Sequence, residues 1–133
     1  MSSELPLRIL VIDCDEPLCA VTTEMLETLG HHAKWETESL SALRLFSESP
    51  YEFDLAIVEP AMPDLMGLDL AVRLRRIRPG FPVLFYSGYA DESLSSQIKT
   101  SGLGRVAFKP FMLKELATAI TERLSPMPHR QPA

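Results

Sequence analysis

The sequence predicts an α/β domain, a five-stranded parallel sheet doubly wound with helices on both faces. Two observations carry that prediction. Short apolar runs alternate with segments of helical period along the whole chain, the mark of successive βα units. The run Phe53-Asp54-Leu55-Ala56-Ile57-Val58 is apolar almost throughout, as a central parallel strand covered on both faces must be. A third observation points at chemistry. That run exits into a carboxylate, Glu59, followed at once by Pro60-Ala61-Met62-Pro63. Open α/β sheets bind their ligands just beyond the carboxyl ends of the strands.

Leu7 to Ile12 is the first strand and runs into Asp13-Cys14-Asp15-Glu16. Pro17 suits the first turn of the helix that follows, with Asp15 or Glu16 near its positive end. Leu18, Val21, Met25 and Leu29 give that helix an apolar face, and Gly30 stops it. His32 to Glu36 is a second strand, polar enough for a sheet edge. Ser39 is placed to cap a second helix carrying Leu40, Leu43 and Phe46, which ends before Ser49-Pro50. Beyond the third strand, a helix follows Gly67 with Leu70, Leu74 and Ile77 inward and Arg73, Arg75, Arg76 and Arg78 on a solvated face. Pro79-Gly80 breaks it. Pro82 to Tyr86 forms the fourth strand and leads into Ser87-Gly88. A weaker helix spans Glu92 to Thr100, and Arg105 to Phe108 forms the fifth strand. Leu113, Leu116, Ala117, Ile120 and Leu124 mark the last helix, the cleanest amphipathic pattern in the chain.

The chain of 133 residues is of single-domain size, with 46% hydrophobic and 23% charged residues. The expected domain is 1–124. Residues 125–133, with three prolines among polar residues, read as a flexible tail. A formal charge of −5 argues against a nucleic-acid surface, which normally shows a basic stripe. No apolar run is long enough to cross a bilayer, and Met1-Ser2-Ser3-Glu4 lacks the basic and apolar regions of a signal peptide. Cys14 and Cys19 show neither CxxC nor Cys/His spacing. A reducing, cytoplasmic setting is expected.

Four strand exits carry polar groups that such a fold brings together. These are Asp13 and Cys14, Glu59, Ser87, and Lys109 before Pro110. The carboxylates can hold a hard divalent cation. A lysine and a hydroxyl nearby can bind the oxygens of a phosphoryl group, whose transfer needs little beyond positioning and charge neutralisation. Plainer roles stand beside each. Asp13 or Asp15 can cap the first helix, Ser87 can be a turn residue, Cys14 a small semi-buried filler, and Trp35 a partly buried residue of the second strand. Asp64 and Asp69 read as loop and helix-start acids.

The pattern D-L-x-x-x-[acid]-x-x-M-P-x-x-x-G around Glu59, with S-G-Y-A-D and F-K-P-F in order behind it, resembles the response-regulator receiver family of two-component signalling. The likeness runs from about Leu7 to Leu124. It implies a (βα)5 fold, flavodoxin-like in strand order, phosphorylated by a histidine kinase. By position, Asp13 and Cys14 take the family's acidic pair and Glu59 the phosphoacceptor position. Ala61 takes the place whose carbonyl helps bind magnesium, Ser87 the family's hydroxyl, and Lys109, before a cis Pro110, the family's lysine.

The departures fall at the chemistry. Cys14 replaces a magnesium-ligating carboxylate with a soft, largely protonated thiol, so Mg2+ binding is expected to be weakened. Glu59 is one methylene longer than the family's aspartate, and Val106 stands where a switch aromatic is usual. Ser87 and Lys109 remain and can make charge-assisted contacts with Glu59.

The expected function is that of a receiver or pseudo-receiver, a protein-interaction switch rather than an enzyme, with Glu59 in place of the phosphorylatable aspartate. One alternative is a phosphorylation-competent receiver using a divalent cation and a kinase donor. Another is a flavodoxin-like flavin or nucleotide binder, against which the acidic Asp13-Cys14-Asp15-Glu16 turn speaks by repelling phosphate. Expected partners are a histidine kinase or a downstream signalling protein. A homodimer would use the family's usual contact surface of fourth helix, fifth strand and fifth helix.

Overall fold

The computed structural model describes residues 6–87, 92–102, 106–108 and 112–124. The expected tail, 125–133, lies outside the described residues. Five strands, β1 (Arg8–Ile12), β2 (His32–Glu36), β3 (Leu55–Val58), β4 (Val83–Ser87) and β5 (Val106–Phe108), alternate with five helices. The helices are α1 (Glu16–Thr28), α2 (Ser39–Glu48), α3 (Gly67–Ile77), α4 (Glu92–Ser101) and α5 (Leu113–Leu124). All neighbouring strands pair in parallel, in the order β2-β1-β3-β4-β5. The doubly wound, flavodoxin-like architecture expected from the sequence is therefore present.

Strand pleating sends alternate side chains to opposite faces, and the core divides accordingly. Leu10, Ile12, Ala56, Val58, Val83 and Phe85 face α2, α3 and α4, where Phe46, Leu70, Leu74 and Ile98 pack against them. Ile9, Val11, Leu55, Ile57, Leu84 and Tyr86 face α1 and α5, meeting Cys19, Leu26, Leu116 and Ile120. Every residue of β3 and β4 is buried, whereas β2, at the sheet edge, has only exposed and half-buried positions.

Four helix faces differ from the sequence expectation, and small residues explain two of them; in α5 only Leu116 and Ile120 are buried, with Leu113 and Leu124 exposed at the two ends. In α1 the buried residues are Cys19, Thr22, Thr23 and Leu26, while Val21 is 50% exposed. These four positions have helical spacing, but two threonines and a cysteine hide the stripe from an apolar count. In α2 the buried face is Ser39, Ala42 and Phe46, and Leu40 points to solvent at 50% exposure. Small side chains let each helix sit close to its neighbours. In α3, Leu70, Ala71 and Leu74 are buried, but Ile77 at the last turn is 37% exposed. Arg78, expected in a solvated face, instead turns inward. Its Nη1 donates to the carbonyls of Pro50 and Phe53, and its guanidinium lies over the rings of Tyr51 and Phe81.

Candidate functional site

The winding direction reverses at β1, because β2 lies on one side of it and β3 on the other. That switch point is where open α/β sheets leave a crevice beyond the strand ends. The final register pair there is Ile12 with Val58, so the next residues, Asp13 and Glu59, emerge side by side. The Glu59 amide donates to the Ile12 carbonyl at 2.9 Å, and the Asp13 amide to the Glu36 carbonyl at 3.2 Å. On the other flank, Val58 pairs with Phe85, which carries the end of β4, Ser87, alongside.

All three polar residues are buried, Asp13 at 4%, Glu59 at 7% and Ser87 at 1% exposure, and none is a free group. Burying a carboxylate is costly unless hydrogen bonds hold it. The two acids meet that need alike, each accepting from the amide two residues downstream. Asp13 Oδ1 takes the Asp15 N–H at 3.0 Å, and Glu59 Oε2 takes the Ala61 N–H at 2.9 Å. The buried Cys19 thiol also donates to the Asp13 carbonyl at 3.2 Å. Capping of α1 falls to Asp15, whose Oδ1 accepts from Leu18 N at 3.1 Å. Of the two candidate caps, Asp13 is thereby left to the crevice.

Cys14 corrects one expectation. It is exposed rather than semi-buried, next in sequence to the buried Asp13. Ala61, expected to lend a carbonyl, gives its N–H to Glu59. Val106 opens β5 opposite Phe85. Lys109 and Pro110 lie outside the described residues.

The loop beyond Glu59 is tightly built. Met62 is 1% exposed within the core, and Gly67 N donates to the Pro60 carbonyl at 2.8 Å. A Cβ at Gly67 would stand 2.7 Å from both the Glu59 carbonyl oxygen and Pro60 Cα. The glycine of the sequence pattern thus admits the start of α3 against the backbone that carries Glu59. Sequence reasoning passed over Asp64 in this loop, although its carboxylate accepts from Ser39 N at 3.1 Å and Leu40 N at 2.9 Å. A signal was present in Glu38, a residue type poor at capping, which left α2 needing an acceptor from elsewhere. Ser39 does not cap. It sits inside the helix, its hydroxyl donating to the Leu65 carbonyl at 2.8 Å.

A cleft of about 360 Å³ lies elsewhere, lined by Arg8, Ile9, His32, Ala33, Lys34, Glu52 and Phe53. It opens at the starts of β1 and β2, at the other end of the sheet. Its charges are already matched, Arg8 with Asp54 at 3.3 Å and Lys34 with Glu52 at 3.5 Å. Among the described residues, no helix is long and apolar enough to cross a membrane.

A sequence profile described as the response regulator receiver domain matches residues 9–121. The chain belongs to this family, the receiver domains of two-component signalling. It is 33% identical over 119 residues to the DNA-binding transcriptional regulator NtrC of Azospirillum brasilense, covering 88% of this chain and 24% of that protein. It is 29% identical over 117 residues to the response regulator receiver protein CpdR of Brucella abortus, covering 88% of this chain and 96% of that one. The fold matches the crystal structure of a response regulator receiver domain protein from Clostridium thermocellum with a TM-score of 0.82. Sequence identity there is 26%, covering 89% of this chain and 94% of the other. The chain thus spans a minor part of one relative and nearly the whole of another.

Proposed function

We propose that this receiver domain works as a protein-interaction switch in which Glu59 stands at the phosphoacceptor position as a fixed charge, a pseudo-receiver. Glu59 itself carries the reading. It is a carboxylate 7% exposed at the β1/β3 switch point, already oriented through Oε2 by the Ala61 amide. Such a group presents negative charge in the crevice without phosphate. It carries one charge where a phosphate carries about 1.5 to 2, so the bias toward an active arrangement is partial. Ser87, buried alongside, and Lys109, next in sequence after β5, are the groups proposed to respond to it. Val106 at the switch position offers no ring to swing.

Receiver domains typically take Mg2+, and the residues here fit it poorly. Asp13 and Glu59 each give an oxygen to a backbone amide, and Cys14 offers a soft sulfur to a cation that prefers oxygen. Among the described residues, no group of three or more His, Cys, Asp or Glu is placed to hold a metal. The proposed partner is a histidine kinase or a downstream signalling protein. Exposed Met112, Leu113 and Leu124 support α4, β5 and α5 as the surface offered to it or to a second copy.

Intact mass after incubation with Mg2+ and acetyl phosphate tests the reading. The protein should gain no adduct, and Cys14→Asp combined with Glu59→Asp should gain one phosphate. A stoichiometric adduct on the unaltered protein, lost in Glu59→Ala, would instead identify a phosphorylation-competent receiver.

A further inference from the structure

The loop that carries Glu59 reaches α3 only after passing the start of α2, and there it is tied down. Helix α2 needs acceptors for its first amides, yet its N-cap residue, Glu38, makes no side-chain capping bond. Glu38 Oε1 instead accepts from the Ser41 hydroxyl at 3.2 Å. Both oxygens of Asp64 fill the gap, from a residue 25 positions downstream of Ser39. The buried Ser39 hydroxyl returns a bond to the Leu65 carbonyl, so three hydrogen bonds join the two segments. The Leu40 amide most strongly, opposed by burial and helped by the Ser39 amide, holds the Asp64 carboxyl below its usual value.

We infer that Asp64 is a positioning residue, whose carboxylate clamps the loop to α2 and thereby holds the Ala61 amide where it orients Glu59. Ala61 stands between two fixed points, the Glu59 amide on the Ile12 carbonyl and the Asp64 clamp. Buried Met62 braces the same short span. Released at Asp64, the span keeps its anchors at β3, at the Pro60 carbonyl and on the Ser39 hydroxyl but loses both amide bonds to α2, and the Ala61 N–H is held less firmly on Oε2. The clamp acts on Glu59 geometry whether or not that residue stands in for phosphate.

Amide hydrogen exchange followed by NMR tests this with two variants. Asp64→Asn keeps the shape but loses one acceptor oxygen and sets an N–H2 donor against a backbone N–H. It should speed exchange at Ser39 and Leu40 roughly fivefold, the size of a weakened cap, and speed exchange at Ala61 by a similar factor. Adding Glu38→Asp supplies α2 with a cap of its own. In that double variant the α2 amides should recover protection while Ala61 remains fast. Recovery of Ala61 together with α2, or no change at Ala61 in the single variant, would overturn the inference and leave Asp64 a helix cap only. Because no phosphorylation is read, failure here leaves the acetyl phosphate result to stand or fall alone.

Discussion

Asp54 stands immediately before β3 and Glu59 immediately after it, and the protein treats the two acids differently. Asp54 remains partly open, its side chain 31% exposed, and takes its partners from arginine. Arg8 N donates to Oδ2 at 2.8 Å, and the Arg8 guanidinium reaches both oxygens. Burial alone would raise this carboxyl, but the side-chain and backbone hydrogen bonds of Arg8 outweigh it and hold it below its usual value. The same end of the sheet uses Arg78 on the Pro50 and Phe53 carbonyls and Arg123 Nε on the Val83 carbonyl at 2.7 Å. At the other end, Asp13 and Glu59 are oriented by amides of their own loops. Where β3 begins, an arginine both orients Asp54 and offsets its charge across a partly open surface. Where the strands end, the acids are buried and amides of their own loops fix their direction.

The sharpest way to break this comparison is at the exit. Gly67→Ala places a Cβ 2.7 Å from two backbone atoms, which cannot swing aside as a side chain would. Destabilisation of about 3 kcal/mol is expected, the upper end for overpacking, read as a lower denaturant midpoint at unchanged slope. An unaltered midpoint would mean the Glu59 loop yields freely and is no rigid cradle. Next comes Arg78→Ala at the start end. It strips the donor from two carbonyls and removes the cation from two rings, for a loss of about 2 kcal/mol. Arg78→Lys should restore only part, since an ammonium lacks the planar fork.

Asp54→Asn should cost less, about 1 kcal/mol at neutral pH for a partly exposed pair, and its effect has a pH signature. The folded carboxyl lies below its ordinary value of 3.8, so its contribution is complete above that value and is lost as pH falls through the folded one. Melting temperatures of parent and variant should differ by a constant amount down to about pH 5 and converge below pH 4. A gap that widens on acidification would contradict the assignment of Arg8 as the stabilising partner.

The strands were legible because a buried parallel sheet demands apolar runs, and β3 and β4 have little else. Glu59 and Asp13 were legible because each acid directly follows such a run. What escaped the sequence depends on distant partners. Cys19, Thr22 and Thr23 line the buried face of α1, yet no apolar count favours threonine. The reach of Asp64 to α2, and of Arg78 to carbonyls before β3, join segments some 25 residues apart; Glu38 shows that α2 lacks a cap of its own, but nothing local says which distant residue supplies it. Side-chain types gave the chemistry of each exit, and only the register gave the neighbours.

The smallest effect belongs to Lys34 and Glu52, paired at 3.5 Å with side chains 58% and 39% exposed beside the cleft at the starts of β1 and β2. Solvent screens such a pair, and ordering two long side chains offsets much of the attraction. A double-mutant cycle on Lys34→Ala and Glu52→Ala should therefore return a coupling of about 0.5 kcal/mol or less, shrinking further in high salt. The measurement bears on function because the cleft, which is open to solvent, would matter only if its charges were held out of water. A coupling above about 1.5 kcal/mol that survives salt would show a desolvated pair. The start of the sheet would then hold water-excluded charge of its own, and the contrast between a solvent-open start and a buried exit would fail.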